Sequence, residues 1–359
     1  MVTCLTLCRR PMALASAPSK RLALPQHSAM LALTRGGHPE NVVYGSAAVV
    51  DANGRVRATI GDAATPVFAR STLKPFQAMP LLAGFGRELG LSDADVAVLC
   101  ASHNGEAAHV TRVQALLRQA GATEADLRCG TQTPAYYAAT GQRPEPGATF
   151  HACHHGCSGN HAGLMLLAHA MGHPVRGYEQ AQHPAQQAAL ASVAHFTNQT
   201  PARLIAAIDG CNLPTYAMPL TALARAYAQL TPDQPDATYG QAPAWVWQGM
   251  TQHPALVSGL ARHDLVLTRA GQGDWLAKEG ADGLQMLASR QRQLAIAVKV
   301  ADGQATHAMR VMVAVLDQLE WLNDHARHQL RPWLQSEVRN SSARAVGQWQ
   351  PVLSWFGLG

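Results

Sequence analysis

The strongest constraint on this chain is where its strand signals fall: at the two ends, with helical patterning between them. Near the start, VVYGSAAVVDANGRVRATIGD (42–62) reads as two β-rich runs divided by DANG, whose Asn53-Gly54 pair suits a type I′ hairpin turn. Near the end, LAIAVKVADG (294–303) repeats the signal before Asp302-Gly303, and Met309, Val313 and Leu316 follow at helical spacing, with Leu319 one turn on. The intervening patterns predict helices over Gly105–Ala120, Ser158–Met171, Pro184–Phe196, Leu220–Leu230 and Ala242–Thr251, and TPDQPDATYGQAP (231–243) reads as a surface loop. Strands from both ends must find each other across the helices. The expectation is an α+β fold, an antiparallel sheet built from N- and C-terminal strands and packed with helices, plus a mainly helical middle over about residues 90–255.

A length of 359 residues suits one large unit with subdomains. Residues 1–30 are expected to be a disordered extension and 31–359 one catalytic domain. The early ALASA stretch imitates a cleavage site, but arginines interrupt the apolar run that a signal peptide needs. The formal charge of +5 is spread through single arginines, without a basic block or interleaved aromatics, which argues against a nucleic-acid partner. No window approaches 18 consecutive apolar residues, so no membrane partner is expected either. Seven scattered cysteines are an odd number and point to a reducing, cytoplasmic location rather than a disulfide framework.

The chain holds only four lysines, Lys20, Lys74, Lys278 and Lys299. One stands in RSTLKPFQA (70–78), three residues after Ser71, a spacing that puts both side chains on one helix face. For Lys74 to take the serine proton, its pKa must fall from about 10.4 to about 7–8, a shift worth roughly 4 kcal/mol. Burial among Val67, Phe68, Phe76 and Met79 together with a second cation would supply that. A helix start beside Ser71 would offer N–H donors to an oxyanion. The plainer reading makes Ser71 an N-cap and Lys74 a solvated turn residue. Two companions favour chemistry. ASHNGE contains Ser102 and Asn104 as S-x-N, and KEG contains Lys278 as K-x-G. The order S-x-x-K, S-x-N, K-x-G is that of penicillin-binding proteins and class A β-lactamases. Ser102 would relay a proton or orient the substrate, and Lys278 would depress the pKa of Lys74 and bind a carboxylate.

A second dense stretch, HACHHGCSGNHAGLMLLAH, carries Cys153, His154, His155, Cys157 and His161 ahead of an apolar helix, with Asp209 and Cys211 in IDGCNLP further on. Cysteine and imidazole together are zinc-type ligands. The C-x3-C spacing without a matching second pair is equally compatible with buried structural cysteines.

Taken in order, LALTRGGHPENVVYGSAAVVDANGRV, RSTLKPFQA, ASHNGE, CSGNHAGLM, IDGCNLPTYAMPL, KEGADG and LAIAVKVADG resemble the Rhizobium-type L-asparaginases, the class 3 or asparaginase II family. The likeness runs from about Leu31 to near the C-terminus. It implies hydrolysis of L-asparagine to L-aspartate and ammonia, on a fold related to serine β-lactamases and DD-peptidases, in a homodimer. It assigns Ser71 and Lys74 to the nucleophile-and-lysine pair, Ser102 to the second serine, Lys278 to the second lysine, and Arg70 to the arginine beside the nucleophile. With Asn104 and Asp209, Arg70 forms the expected substrate-binding set. Zinc is the candidate cofactor. Cys157 and Cys211 match the family's metal ligands and Asp209 the neighbouring aspartate, but the family's metal-binding lysine is Asn160 here and the usual Asn before the cysteine is Gly156. Asn160, His155 and His161 are the candidate replacement ligands. The expected mechanism is a serine acyl-enzyme: Ser71 attacks the side-chain amide, Lys74 moves the proton, ammonia leaves and water completes the reaction. The motifs alone also suit a β-lactam- or D-Ala-D-Ala-directed acyl transferase, or a non-catalytic Cys/His metal-binding protein on the same fold.

Overall fold

Strand pairing in the computed structural model, which describes residues 24–335 and 337–357, joins the two ends of the chain. The N-terminal strands are β1 (Ser28–Arg35), β2 (His38–Asp51), β3 (Val56–Ile60) and the short β4 (Pro66–Phe68). Two more, β5 (Ile205–Ile208) and β6 (Pro214–Pro219), lie mid-chain. They are followed by β7 (Trp275–Gly280), β8 (Leu284–Ser289), β9 (Leu294–Val300), β10 (Glu337–Arg339) and β11 (Ala345–Pro351). The main sheet is antiparallel in the order β10-β11-β1-β2-β9-β8-β7, with β3 also paired to β2. Its seam joins early and late sequence: Ala47 faces Val298 and Val49 faces Ile296. The expected α+β architecture is the one observed.

The two-residue side-chain period of a strand explains how the sheet is buried on both faces. On β9, Ala295 and Ala297 enter one core, while Ile296, Val298 and Val300 enter the other. On β8, Met286 and Leu287 divide in the same way. The near-continuous apolar runs seen in the sequence are thus central strands covered above and below.

Helices α1 (Lys74–Gly84), α2 (Asp93–Leu99), α3 (Ala107–Gln119), α4 (Ala135–Thr140), α5 (Ser158–Ala170) and α6 (Pro184–Thr197) precede β5. Then come α7 (Leu220–Ala228), α8 (Ala242–Gln252), α9 (Pro254–Val257) and α10 (His263–Ala270). The last are α11 (Ala305–Gln318), α12 (Asp324–Gln329) and α13 (Arg331–Leu334). Helix α7 lies on one sheet face against β2 and β9, where Ala48, Ala295 and Ala297 allow close approach, and α11 covers the other. Eleven of thirteen residues of α5 are buried, which fits its lack of a polar face.

Three local expectations change. The middle region is mainly helical as expected, but it also holds two strands without a sequence signal: β5 and β6 pair with β4 in a second, three-stranded sheet, in segments too short to show a period. The DANG turn is not type I′, because Gly54 has positive φ (79°) and Asn53 does not. The Asp51 carboxylate accepts the N–H groups of Asn53 (3.0 Å) and Arg55 (2.9 Å), folding the segment into a type I turn with Gly54 as the left-handed residue of a bulge. Order begins before residue 31. Ser28 pairs with Gly45 and Met30 is fully buried, so β1 takes in the end of the expected extension; residues 1–23 lie outside the described residues.

Candidate active site

Ser71 lies in a 3-10 turn, Arg70–Leu73, that runs directly into α1. Arg70 enters this turn with φ of +52°, a left-handed conformation costly for a residue with a side chain. Several contacts hold it. Its N–H bonds Thr215 Oγ1 (3.1 Å), its Nε and Nη2 bond Asp209 Oδ1 (3.1 and 3.0 Å), and its Nη1 bonds Asp282. Gly280, ending β7, packs so closely on this turn that a Cβ there would stand 3.1 Å from the Ala69 carbonyl. The Ser71 hydroxyl makes no hydrogen bond among the described residues and lines a cleft of about 410 Å³.

The loop after α2 carries Ser102, and a second loop carrying His155, Gly156 and Cys157 closes on it. His103 N–H donates to the Gly156 carbonyl (3.0 Å), and a Cβ on Gly156 would come within 2.8 Å of the His103 carbonyl. The buried His103 ring fixes both loops. Its Nδ1 accepts the Gly105 N–H (3.1 Å), so Nε2 carries the proton and donates to Ser158 Oγ (3.0 Å), which in turn donates to the Cys153 carbonyl (2.8 Å).

Both buried lysines converge on Ser102. Lys74 Nζ lies 3.0 Å from Ser102 Oγ, 2.7 Å from the Ala101 carbonyl and 3.2 Å from Cys157 Sγ. Lys278 Nζ lies 2.9 Å from the same Oγ, 2.8 Å from the Glu279 carbonyl and 3.6 Å from Asp264 Oδ2. No hydrogen bond joins Lys74 to Ser71 among the described residues. The expected Ser71–Lys74 pair is therefore arranged differently, with Lys74 spending its three donors elsewhere. Burial, aided by the neighbouring Lys74, lowers the pKa of Lys278 to about 8. Cys157 lies well below the usual thiol range, chiefly because the Cys211 thiol bonds it, with the Lys74 ammonium beside it; Cys211 is raised correspondingly.

The cleft gathers Arg70, Ser71, Ser102, His155, Cys157, Asp209 and Cys211 from distant parts of the chain. A family profile for L-asparaginase II matches residues 31–351. The chain belongs to the L-asparaginase II family. The family's name denotes hydrolysis of a small amide. Among solved structures it is similar to a protein described as Mglu in its native form (14% identity, TM-score 0.42, covering 77% of this chain and 64% of that one). It is also similar to a β-lactamase from Mycobacterium bovis (15% identity, TM-score 0.34, covering 76% of this chain and 94% of that one). The chain thus spans under two-thirds of the first of these. Among curated proteins, none matches it in sequence.

The site of this asparaginase-family chain departs from the sequence-based assignment in its margins. Asn104 does not line the cleft: its Nδ2 donates to the Leu260 carbonyl (2.9 Å) and Glu106, and its Oδ1 accepts from Arg262 (3.1 Å), which makes it a brace. The zinc expectation meets a poor donor set. Cys157 is engaged by Lys74 and Cys211, while Asn160 Oδ1 and His161 Nε2 are buried without partners. His161 Nδ1 is committed to the Tyr178 hydroxyl (2.6 Å). Among the described residues no group of three or more His, Cys, Asp or Glu side chains is placed to share an ion, so the residues present do not fit a closed zinc site. Lys74, Cys157 and Cys211 instead bond one another. The sequence reading missed Arg262, Glu279 and Asp282, which line the cleft, and Asp264 behind Lys278. Glu279 sits inside the K-x-G motif, but ARHDL (261–265) carries no motif at all.

Proposed function

We propose that this chain hydrolyses L-asparagine to L-aspartate and ammonia through an ester on Ser71, with Ser102 as the proton conduit to the two lysines. The observation that carries the reading is the placement of one serine hydroxyl, Ser102 Oγ, within 3.0 Å of both buried lysines, in a cleft that a second, unbonded serine also lines. A free hydroxyl presented by a strained turn ahead of a helix is what a nucleophile needs. A hydroxyl wired to two amines is what a relay needs. Ser71 attacks the amide carbon and its proton passes to Ser102, while the Ser102 proton passes to neutral Lys278. The lysine then returns a proton to the departing ammonia. Water attacks the ester by the reverse path, restoring Ser71 and giving the aspartate carboxylate. The nearby Lys74, 3.2 Å from Cys157 Sγ, lowers the pKa of Lys278 and so aids the base. Arg70, braced by Asp209 and Asp282, faces the cleft where the α-carboxylate of the substrate would lie, and Asp209 would take its α-ammonium.

Ser71→Ala and Ser102→Ala test the roles. Each is expected to lower kcat for ammonia release by at least about a hundred-fold, and peptide mapping of enzyme quenched during turnover is expected to find the aspartyl ester on Ser71. Full ammonia release by Ser71→Ala ends the acyl-enzyme reading. The two lysines on Ser102 favour one alternative, Ser102 itself as nucleophile, and an ester found there would establish it. Side-by-side assays of L-asparagine, L-glutamine and a chromogenic β-lactam separate the asparaginase from a β-lactam-directed acyl transferase. A cytoplasmic homodimer completes the proposal; the five cysteines among the described residues are free thiols, which suits a reducing compartment. No helix among the described residues is long and apolar enough to cross a membrane.

A further inference from the structure

Behind Lys278, on the side away from the cleft, lies a carboxylate that the mechanism has not used. Asp264 sits in the first turn of α10, where the helix dipole favours negative charge, and is 1% exposed. Its Oδ1 accepts a hydrogen bond from the buried Gln285 amide (3.1 Å), which fixes the plane of the group. Its Oδ2 is buried with no hydrogen-bond partner and stands 3.6 Å from Lys278 Nζ. Buried carboxylates are rarely left half-bonded, because the desolvation cost is not recovered. The other two directions of Lys278 Nζ go to Ser102 Oγ and the Glu279 carbonyl. Nearby groups do not satisfy Oδ2: Arg262 is directed to Asn104 and Glu279, and the Tyr227 hydroxyl to the Thr72 carbonyl.

A hydroxyl, the amine that takes its proton and a third group that orients the amine form the standard arrangement of an activated acid–base unit. We propose that Asp264 is the positioning residue of Lys278, aiming its amine at Ser102 and holding the ammonium that forms when the Ser102 proton moves. This rests on the reading of Ser102 and Lys278 as the proton path. The step balances: the Ser102 O–H bond breaks, a Lys278 N–H bond forms, and the new positive charge faces a carboxylate 3.6 Å away. The other charged or titratable groups around Lys278 are Lys74, Arg262, Cys157 and the buried Cys100; the first two repel the ammonium, and Asp264 and Cys157 offset them.

Asp264→Asn keeps the shape and the Gln285 neighbour and removes the charge. Ammonia release from L-asparagine across pH is expected to show kcat reduced at least about ten-fold with KM little changed. The acid limb of kcat/KM should move to lower pH by about one unit, since losing the carboxylate makes the ammonium easier to deprotonate. Asp264→Ala, which leaves room for a small anion, is expected to recover activity when formate is added, while formate leaves the unaltered enzyme unchanged. An Asp264→Asn enzyme with an unmoved limb, or an Asp264→Ala enzyme indifferent to formate, overturns the proposal, even if activity is lower. Ser102→Ala separates the two levels. If it retains full activity the proton path itself fails, whereas an inactive Ser102→Ala beside an unaltered Asp264→Asn removes Asp264 alone.

Discussion

Two lysines within hydrogen-bond reach of one hydroxyl cannot both carry charge cheaply. Lys74 has three acceptors, one of them a thiolate. Lys278 is fully buried, faces Lys74, and is lowered to about 8. If Lys278 is the base, kcat/KM for L-asparagine rises as pH climbs through about 8, where Lys278 loses its proton; a profile flat from pH 6 to 9 contradicts this. The cysteine cluster yields another expectation at the same scale. Because its donors do not fit a closed metal site, exhaustive chelation is expected to leave ammonia release unchanged, and loss of activity that returns with added zinc would refute that. Sequence spacing located Ser71, Lys74, Ser102 and Lys278 because S-x-x-K, S-x-N and K-x-G are local patterns. It could not foresee the setting of Lys278, since that depends on Cys157, Arg262 and Asp264, brought in from two other segments.

At the scale of elements, the site is two loops and a turn held in fixed relation. The Ser102 loop and the Cys157 loop meet backbone to backbone at His103 and Gly156. Gly156→Ala places a methyl group 2.8 Å from the His103 carbonyl, closer than real contacts allow. The expected outcome is a loss of roughly 1–3 kcal/mol in denaturant unfolding, with a larger fall in kcat than the stability change alone explains. Unaltered stability and activity would show that the loops tolerate separation. Helices α3, α5, α6, α7, α8 and α11 were legible because their periodic patterns exceed two turns. Strands β5 and β6 were not, being four and six residues long and shaped by pairing with β4. The DANG segment was misread for a similar reason: the Asp51 side chain, not the Asn-Gly pair, selects the turn.

For the molecule as a whole, charge burial sets the limits of stability in acid. His103 and His109 are held below their ordinary pKa by burial, and His161 is lowered to about 3 by the same cause. These rings stay neutral when folded but take up protons once unfolded, so their contribution is intact above about pH 6.5 and drains away as pH falls toward 3. The melting temperature is expected to be lower at pH 5 than at pH 7.5, and His109→Gln to narrow the gap; equal values would show that these rings do not govern acid sensitivity. The α+β class was readable from strands at both ends. The pairing order was not, because it depends on which edges meet after collapse. That order has a consequence for synthesis. Strand β2 lies between β1 and β9, and β9 emerges from the ribosome only after residue 294. Until then the nascent chain carries a long apolar strand with one edge open. The chain is most exposed to aggregation in that interval.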